Sequence, residues 1–356
     1  MGRLPASAVD LGDYDFEPDL ARAQTPPSRW YFDPAILDVE LERVFGRTWQ
    51  LAGRTDQVGA PGDYLTGRIG AEAFVVARGA DGTLRAFSNV CRHRAGPVAR
   101  GSGHASALKC SYHGWTYGLD GRLLAAPEFE GVEGFDRGST RLPSLLLAEW
   151  AGFAFVNLDP AAAPLAESLG ALPAQLAHLP LAGMRLVKAV DYEMPCNWKV
   201  YVDNYLEGYH IPVVHPGLFR LLDYGAYRVE TSVLHSRQHA PLRGEASEAF
   251  YYWVFPNLML NVYPDGFQLN IVTPLGPERA RVRFEWYLLD HGQPGAMDEL
   301  ARGIAFSEEV QREDAAICAA VQEGLRSRTY ERGRYSVRRE NGVHHFHGLM
   351  HRFMVG

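Results

Sequence analysis

Apolar positions along the chain change spacing several times, and each change predicts a different kind of element. After Arg29-Trp30-Tyr31-Phe32-Asp33-Pro34, the residues Ile36, Leu37, Val39, Leu41, Val44 and Phe45 fall on one helical face, with Asp33 placed to cap the first turn. From about 47 to 158 the pattern shortens into strand-like runs, among them Phe74-Val75-Val76-Ala77, Leu84-Arg85-Ala86-Phe87 and Gly152-Phe153-Ala154-Phe155-Val156. Turn signals at Ala80-Asp81-Gly82 and Asp120-Gly121 punctuate them. Residues 159–183, rich in Ala, Leu and Pro, predict a linker with a short helix. The runs 250–255, 258–263 and 267–273 predict antiparallel strands with a turn at Pro264-Asp265-Gly266. In the middle run Leu258, Leu260 and Val262 alternate with Met259, Asn261 and Tyr263, so one face is buried. Long helical patterns complete the chain. The expected division is a lead-in over 1–45 packing with the last domain, a small β domain over 46–158, and an α+β domain over 159–356. No internal repeat stands out.

Composition narrows the class. Of 356 residues, 47% are apolar and 22% charged, which suits a folded protein of about two domains. The net charge of −7, with no block of like charges, argues against nucleic acid or an anionic membrane as partner. No window reaches the ~18 uninterrupted apolar residues of a membrane span. Asp10, Asp13, Asp15 and Glu17 stand where a signal peptide needs apolar residues. Four cysteines in this length make no disulfide framework, so a reducing cytoplasm is the expected location.

Two constellations carry chemistry. Cys91-Arg92-His93 and Cys110-Ser111-Tyr112-His113 supply two thiolates and two imidazoles from two turn-rich loops, with Gly96 and Gly114 nearby. That set suits tetrahedral zinc or a [2Fe–2S] cluster. Each loop carries one residue of each type, which favours the cluster: both cysteines hold one iron and both histidines the other. In the second, Trp198, Val202, Tyr205 and Tyr209 predict a helical face, with Asp203, Glu207 and His210 on a neighbouring stripe. Pro212 cannot continue that helix, so the chain bends and His215 returns toward His210. In the helical pattern over 296–327, Val310, Ile317, Val321 and Leu325 mark a buried side that includes Asp314. A buried carboxylate needs a partner; an arginine would serve, but two histidines and a carboxylate make the facial triad of a mononuclear non-heme Fe(II) site.

The loops Cys91-Arg92-His93-Arg94 and Cys110-Ser111-Tyr112-His113-Gly114-Trp115 resemble those of Rieske proteins, in particular the large (α) subunits of the Rieske non-heme iron oxygenases. The extra cysteines of respiratory-chain Rieske proteins are missing. The stretch from Asn197-Trp198-Lys199 to His215 is similar to the oxygenases' iron-binding segment, with His210 and His215 as its H-x4-H. Glu313-Asp314-Ala315-Ala316-Ile317 resembles the segment carrying the family's carboxylate ligand. Most of the chain, roughly 28–350, is covered.

The resemblance implies an all-β Rieske domain beside a catalytic domain whose antiparallel sheet packs against helices, in helix-grip (START-like) fashion. It implies a [2Fe–2S] cluster on Cys91, His93, Cys110 and His113, and mononuclear Fe(II) on His210, His215 and Asp314. In the family an acid just before the first histidine bridges the two centres. Here Glu207 stands where many members have Asp, a departure resembling the oxygenases of quaternary amines, and Asp203 is a second candidate for that task. A head-to-tail homotrimer is implied, with His113 of one chain facing Glu207 of the next.

No G-x-G-x-x-G fingerprint occurs, so a separate NAD(P)H-dependent reductase, directly or through a ferredoxin, must supply electrons. The expected activity is mono- or dioxygenation of a small organic substrate with O2. The substrate is a quaternary ammonium compound held by aromatic faces, or alternatively an aromatic acid or other ring. Tyr205, Tyr252, Trp253, Asn261 and Tyr263 are candidate pocket walls, although most of these aromatics fit an ordinary core. An electron carrier with no second iron is the alternative of another class, and the triad argues against it. A zinc-stabilised binding protein is a third. His344, His345, His347 and His351 fit a packed or solvated terminal helix, and Arg281, Arg283, Arg338 and Arg339 a solvated surface.

Overall fold

A computed structural model describes residues 9–243, 248–263, 266–289 and 295–355, so Pro264 and Asp265 of the expected turn lie outside the described residues. Two compact units divide the chain: one runs up to Val44 and resumes at Ser168, and the other is Phe45–Glu167. The second border falls beyond 158 because the segment after the buried strand Phe153–Asn157 stays with the β unit. There the Trp49 indole N–H donates to the Ala163 carbonyl at 2.9 Å.

The β unit holds an antiparallel seven-stranded sheet in the order Gln50–Arg54, Phe153–Asn157, Ser144–Trp150, Leu84–Ser88, Glu72–Arg78, Asp63–Ile69 and Ser102–His104. The expected runs at 74–77, 84–87 and 152–156 lie in three of these strands. A second sheet of three short strands, Leu108–Lys109, Thr116–Tyr117 and Leu123–Ala125, carries the 110–115 loop between its first two strands. Val75, Phe87, Leu108, Tyr117 and Leu142 pack one core, and Cys91, Cys110 and Trp115 belong to it. The metal-type loops therefore grow out of a closely packed base.

The larger unit is built on a seven-stranded antiparallel sheet: Arg185–Met194, Arg279–Leu288, Gly266–Gly276, Leu258–Tyr263, Glu248–Val254, His235–Pro241 and Arg228–Thr231. The helices Trp198–Tyr205, Ala296–Leu325 and Asn341–Val355 belong to the same unit. In the lead-in, the Asp33 side chain accepts from the Ala35 N–H and caps Pro34–Glu40. Its last residue, Glu40, is fully buried and takes the Lys199 ammonium at 2.5 Å and the Trp198 indole N–H at 2.6 Å. Burial raises the Glu40 pKa and lowers that of Lys199, while each partner's charge opposes the shift. Removing one member of such a pair leaves an uncompensated buried charge, costing about 3–5 kcal/mol. The pair thus ties the lead-in to the start of Trp198–Tyr205. Among the described residues no helix is long and apolar enough to cross a membrane.

The terminal histidines do lie on a helix, where His344 and His347 are buried. Of the four arginines expected at the surface, Arg339 is buried: it donates to the carbonyls of Tyr227 and Tyr224 and lies over the Tyr224 ring. Sequence spacing gave no warning of these carbonyls, which come from a segment more than a hundred residues away.

Candidate metal centres

In the β unit the cysteine–histidine loops are shaped by backbone turns. The Cys91 N–H donates to the Gly96 carbonyl at 2.8 Å and the Ala95 N–H to the Cys91 carbonyl at 3.0 Å. The second loop repeats the device, with Cys110 N–H to Trp115 O at 2.8 Å and Gly114 N–H to Cys110 O at 3.1 Å. A Cβ on Gly96 would come within 2.9 Å of Cys110 Sγ, so only glycine lets the two loops approach here. The rings of His93 and His113 lie 4.6 Å apart, and Trp115 stacks on His93 at 5.0 Å. Both thiols are free and buried, and His93 Nδ1 is buried with no hydrogen-bond partner.

A buried imidazole nitrogen left without a partner is expensive unless something binds it. Two buried sulfurs and two imidazoles fit a [2Fe–2S] cluster held by Cys91, His93, Cys110 and His113. The Tyr117 hydroxyl, which receives the Arg92 N–H at 2.9 Å, lies 3.3 Å from Cys91 Sγ. Burial, and next the Cys91 sulfur, raise its pKa, so it stays protonated and can donate to that sulfur. His113 is exposed. The loss of some hydration around its ring, then the Arg94 charge and His93, lower its pKa, and Arg94 Nη2 stands 3.2 Å from its Nε2.

In the larger unit the helix carrying Asp203 stops at Tyr205 instead of running on to His210. Gly208 must pass the Tyr227 ring, which a Cβ would meet at 2.6 Å, and Glu207 turns the chain by accepting the N–H groups of Tyr209 and, at 3.1 Å, His210. Tyr209, expected on the buried face, is exposed for the same reason. Pro212 then sits in the first turn of a new short helix, Ile211–Val214, where its missing N–H costs nothing. His210 and His215 thus stand at the two ends of one helical turn, with ring centroids 5.0 Å apart.

Asp314 comes from the long helix Ala296–Leu325, though not through the face read from sequence. Of the positions expected to be buried, Leu325 is, while Ile317 and Val321 are exposed; the other buried positions are Ile304, Gln311, Cys318 and Gln322. Asp314 lies with that second set, whose polar members Gln311 and Gln322 hid it from a reading of apolar spacing. Gln311 accepts the Tyr201 hydroxyl at 2.7 Å, and Gln322 accepts the Asn197 N–H at 2.8 Å.

His210, His215 and Asp314 each offer one ligand atom, all within 4.8 Å of one another. Asp314 Oδ1 is 3.0 Å from His215 Nε2 and 3.7 Å from His210 Nε2. The other nitrogen of each ring is taken by a carboxylate: Glu207 Oε1 at 2.5 Å from His210 Nδ1, and Glu313 Oε2 at 2.7 Å from His215 Nδ1. Each acid fixes a tautomer and turns Nε2 inward, the arrangement that orients metal-bound imidazoles. Asn204 Nδ2 donates to Asp314 Oδ1 at 2.6 Å. Burial alone would lower the His215 pKa, but Asp314 and then Glu313 more than offset it and leave it raised. Two imidazoles and one carboxylate converging from separate elements fit a facial Fe(II) triad with open positions.

Neither Glu313 nor Asn204 was read from sequence. The acidic doublet at 313–314 was the signal for Glu313; nothing marked Asn204. Asp203 takes a different place from Glu207: it accepts the Tyr31 hydroxyl at 2.8 Å and pairs with His347 Nε2 at 2.9 Å, and it does not line the cavity beside the triad.

Of the candidate pocket walls, Tyr205, Asn261 and Tyr263 line that cavity, of about 680 Å³, and Tyr252 and Trp253 do not. Alternation along Glu248–Val254 turns Tyr251 to the cavity and Tyr252 to the other face, beside Arg237. Trp253 shares the face of Tyr251 but is covered by Phe346, at 5.4 Å between ring centroids.

Fold and site together define a protein with a Rieske-type iron–sulfur centre in one unit and a mononuclear iron triad in the other. Comparison with known proteins gives the same class. The Rieske [2Fe-2S] domain family matches residues 48–136, and the Ring hydroxylating alpha subunit (catalytic domain) family matches 181–240 and 227–356. The chain is similar to the chloroplastic choline monooxygenase of Arabidopsis thaliana, 37% identical over 95% of this chain and 85% of that one. It is also similar to the carnitine monooxygenase oxygenase subunit of Escherichia coli (strain K12), 32% identical over 92% and 93%. The quaternary ammonium Rieske monooxygenase CntA, solved with L-carnitine, superposes with a TM-score of 0.84 at 29% identity, over 100% of this chain and 99% of that one. This chain belongs to the α subunits of the Rieske non-heme iron oxygenases, oxidoreductases that use O2 with a [2Fe–2S] cluster and a mononuclear iron.

Proposed function

We propose that this oxygenase hydroxylates a quaternary ammonium compound, drawing electrons from a separate NAD(P)H-dependent reductase and working as a head-to-tail homotrimer. The observation that carries the substrate class is the cavity wall. Tyr205, Tyr227, Tyr251, Tyr263 and Trp286 line it, with carboxylates at Glu207, Asp314 and Glu299. Aromatic faces and carboxylates attract an alkylammonium ion and give little to an anion. The relatives named for choline and carnitine support the same class.

When bound, the ferrous ion supplies the place where dioxygen is reduced. The chain's own part is to hold that ion with His210, His215 and Asp314, to keep both Nε2 atoms turned inward through Glu207 and Glu313, and to seat the substrate against the aromatic wall. The balance is one C–H bond, O2, two electrons and two protons in; one C–OH bond and water out. Where the carbon is an N-methyl, the C–N bond then breaks, releasing formaldehyde and the demethylated amine. A cytoplasmic location is supported by the two cysteines outside the cluster loops, Cys196 and Cys318, which form no disulfide.

The test is substrate-dependent oxygen uptake by the loaded enzyme with a surrogate reductase, screening quaternary amines against aromatic acids, with products followed by mass spectrometry. Uptake with a trimethylammonium compound and a product of one added oxygen, or one lost methyl, is expected. Uptake with ring substrates alone overturns the proposal.

A further inference from the structure

Strand register places a row of facing residues across the floor of the cavity. Gln238 opposes Tyr251, which opposes Asn261, then Gln268, then Trp286. In the neighbouring row Asn270 opposes Met259 and Phe284. The amides at 261 and 270 have their oxygens already engaged: Asn261 Oδ1 accepts the Tyr205 hydroxyl at 2.6 Å, and Asn270 Oδ1 accepts Gln268 Nε2 at 2.9 Å. Those bonds fix which way each amide points, and both residues line the cavity while only 4% and 2% exposed. Their Nδ2 groups have no protein partner among the described contacts and open on the cavity, where each can donate to an acceptor on the ligand.

What these donors can accept is limited by charge. Among the described residues no lysine or arginine lines the cavity. Of the arginines on bordering segments, Arg339 donates to the Tyr227 and Tyr224 carbonyls and Arg243 to that of Leu222, while Arg220 and Arg302 are exposed and do not line the cavity. Glu299 adds a carboxylate on the wall. A substrate carboxylate taken into this cavity would lose its water and find no cation, and an unpaired charge in that position is costly. A hydroxyl oxygen carries no such penalty.

Resting on the quaternary-ammonium reading above, we infer that Asn261 and Asn270 are specificity-determining residues that select a cationic amine ending in an uncharged hydroxyl, and that the cavity rejects amines ending in a carboxylate.

The experiment compares choline, L-carnitine, γ-butyrobetaine and ethyltrimethylammonium (the same kind of cation with no oxygen) on the loaded enzyme, by oxygen uptake and by calorimetric binding. Choline is expected to exceed both carboxylate-bearing amines by roughly a hundredfold or more in kcat/KM. In Asn261→Leu and Asn270→Leu, the preference for choline over ethyltrimethylammonium, read as the ratio of their kcat/KM and of their Kd values, should fall about tenfold, a change that a general loss of packing, which weakens both alike, would not produce. Comparable turnover of L-carnitine and choline overturns the inference and leaves the quaternary-ammonium proposal standing, as does an equal loss for both cations in the variants. If no quaternary amine is bound or turned over while an aromatic acid is, both readings fall together. The comparison on the parent enzyme decides the carboxylate question even if a variant fails to fold.

Discussion

Glu207 and Glu313 treat the two imidazoles of the triad alike, each accepting the Nδ1 proton and turning Nε2 toward Asp314, yet they differ in what else they hold. Glu207 also accepts backbone N–H groups at Tyr209 and His210, so it shapes the turn as well as the ring. Among the described residues, Glu313 has the ring of His215 as its side-chain partner. Glu313→Gln should therefore weaken iron binding at the triad by about 10–100-fold, measured by chelator competition, while the cluster's absorption stays at the parent's level. Glu207→Gln retains an acceptor for the turn but loses the same carboxylate contact to its ring, so it should weaken the iron by a similar factor and is compared after reconstitution to about three irons per chain, two of them in the cluster. If this acid is the electron path between centres, product formation should nevertheless fall sharply, at least about tenfold. Normal turnover in Glu207→Gln removes the electron-path role. At this scale the pair His210 and His215 was legible because its spacing is local, and Asp314, 99 residues from His215, through the resemblance of the segment Glu313-Asp314-Ala315-Ala316-Ile317 to the family's. Asn204 was not, because its bond to Asp314 spans 110 residues and an asparagine inside a helix carries no signal of its own.

Among the elements, Asn341–Val355 has the least ordinary content, a helix whose histidines are packed inside the fold. His345 Nε2 is buried with no hydrogen-bond partner, and burial first, then Arg352, His235 and His344, push its pKa down to about 4. Burial also lowers His235 and His344. The sign follows from linkage: the unfolded chain, with a histidine pKa near about 6.5, binds more protons than the native one as pH falls. Stability from His345 is fully present above about pH 6.5 and is lost as pH drops toward 4. Between pH 7 and pH 4.5 the His345→Leu variant should lose less unfolding free energy than the parent, by on the order of 2 kcal/mol, read from denaturant titrations at the two pH values. Equal losses in parent and variant would mean that this histidine is not a source of acid sensitivity. The sequence marked the helix and left packed and solvated open, since a cluster of histidines reads as polar. Misreading the Ala296–Leu325 face has the same origin: glutamines and a cysteine occupy buried positions there because they bond to specific partners, which apolar spacing cannot register.

For the whole molecule, the open question is which chain's cluster serves which chain's iron. Each chain carries a complete set of ligands for both centres, so isolated activity cannot separate transfer within a chain from transfer between chains. Mixed assemblies can. Let one variant lose its cluster (His113→Ala) and another its mononuclear iron (Asp314→Ala), each inactive alone. In a ring with head-to-tail contacts, a chain with an intact cluster feeds the intact iron of its neighbour on one side only. Random assembly from equal amounts makes about three rings in four mixed, and every mixed ring of three has one productive contact out of three. Co-expressing the two variants should then restore about a quarter of parent activity, with the purified material running as a trimer by light scattering. Transfer confined within each chain predicts no recovery at any mixing ratio, because no chain then holds both working centres. Recovery that varies with mixing ratio as the product of the two fractions marks transfer across one interface per pair of chains. That dependence distinguishes it from contamination by active enzyme, which would not peak at equal amounts.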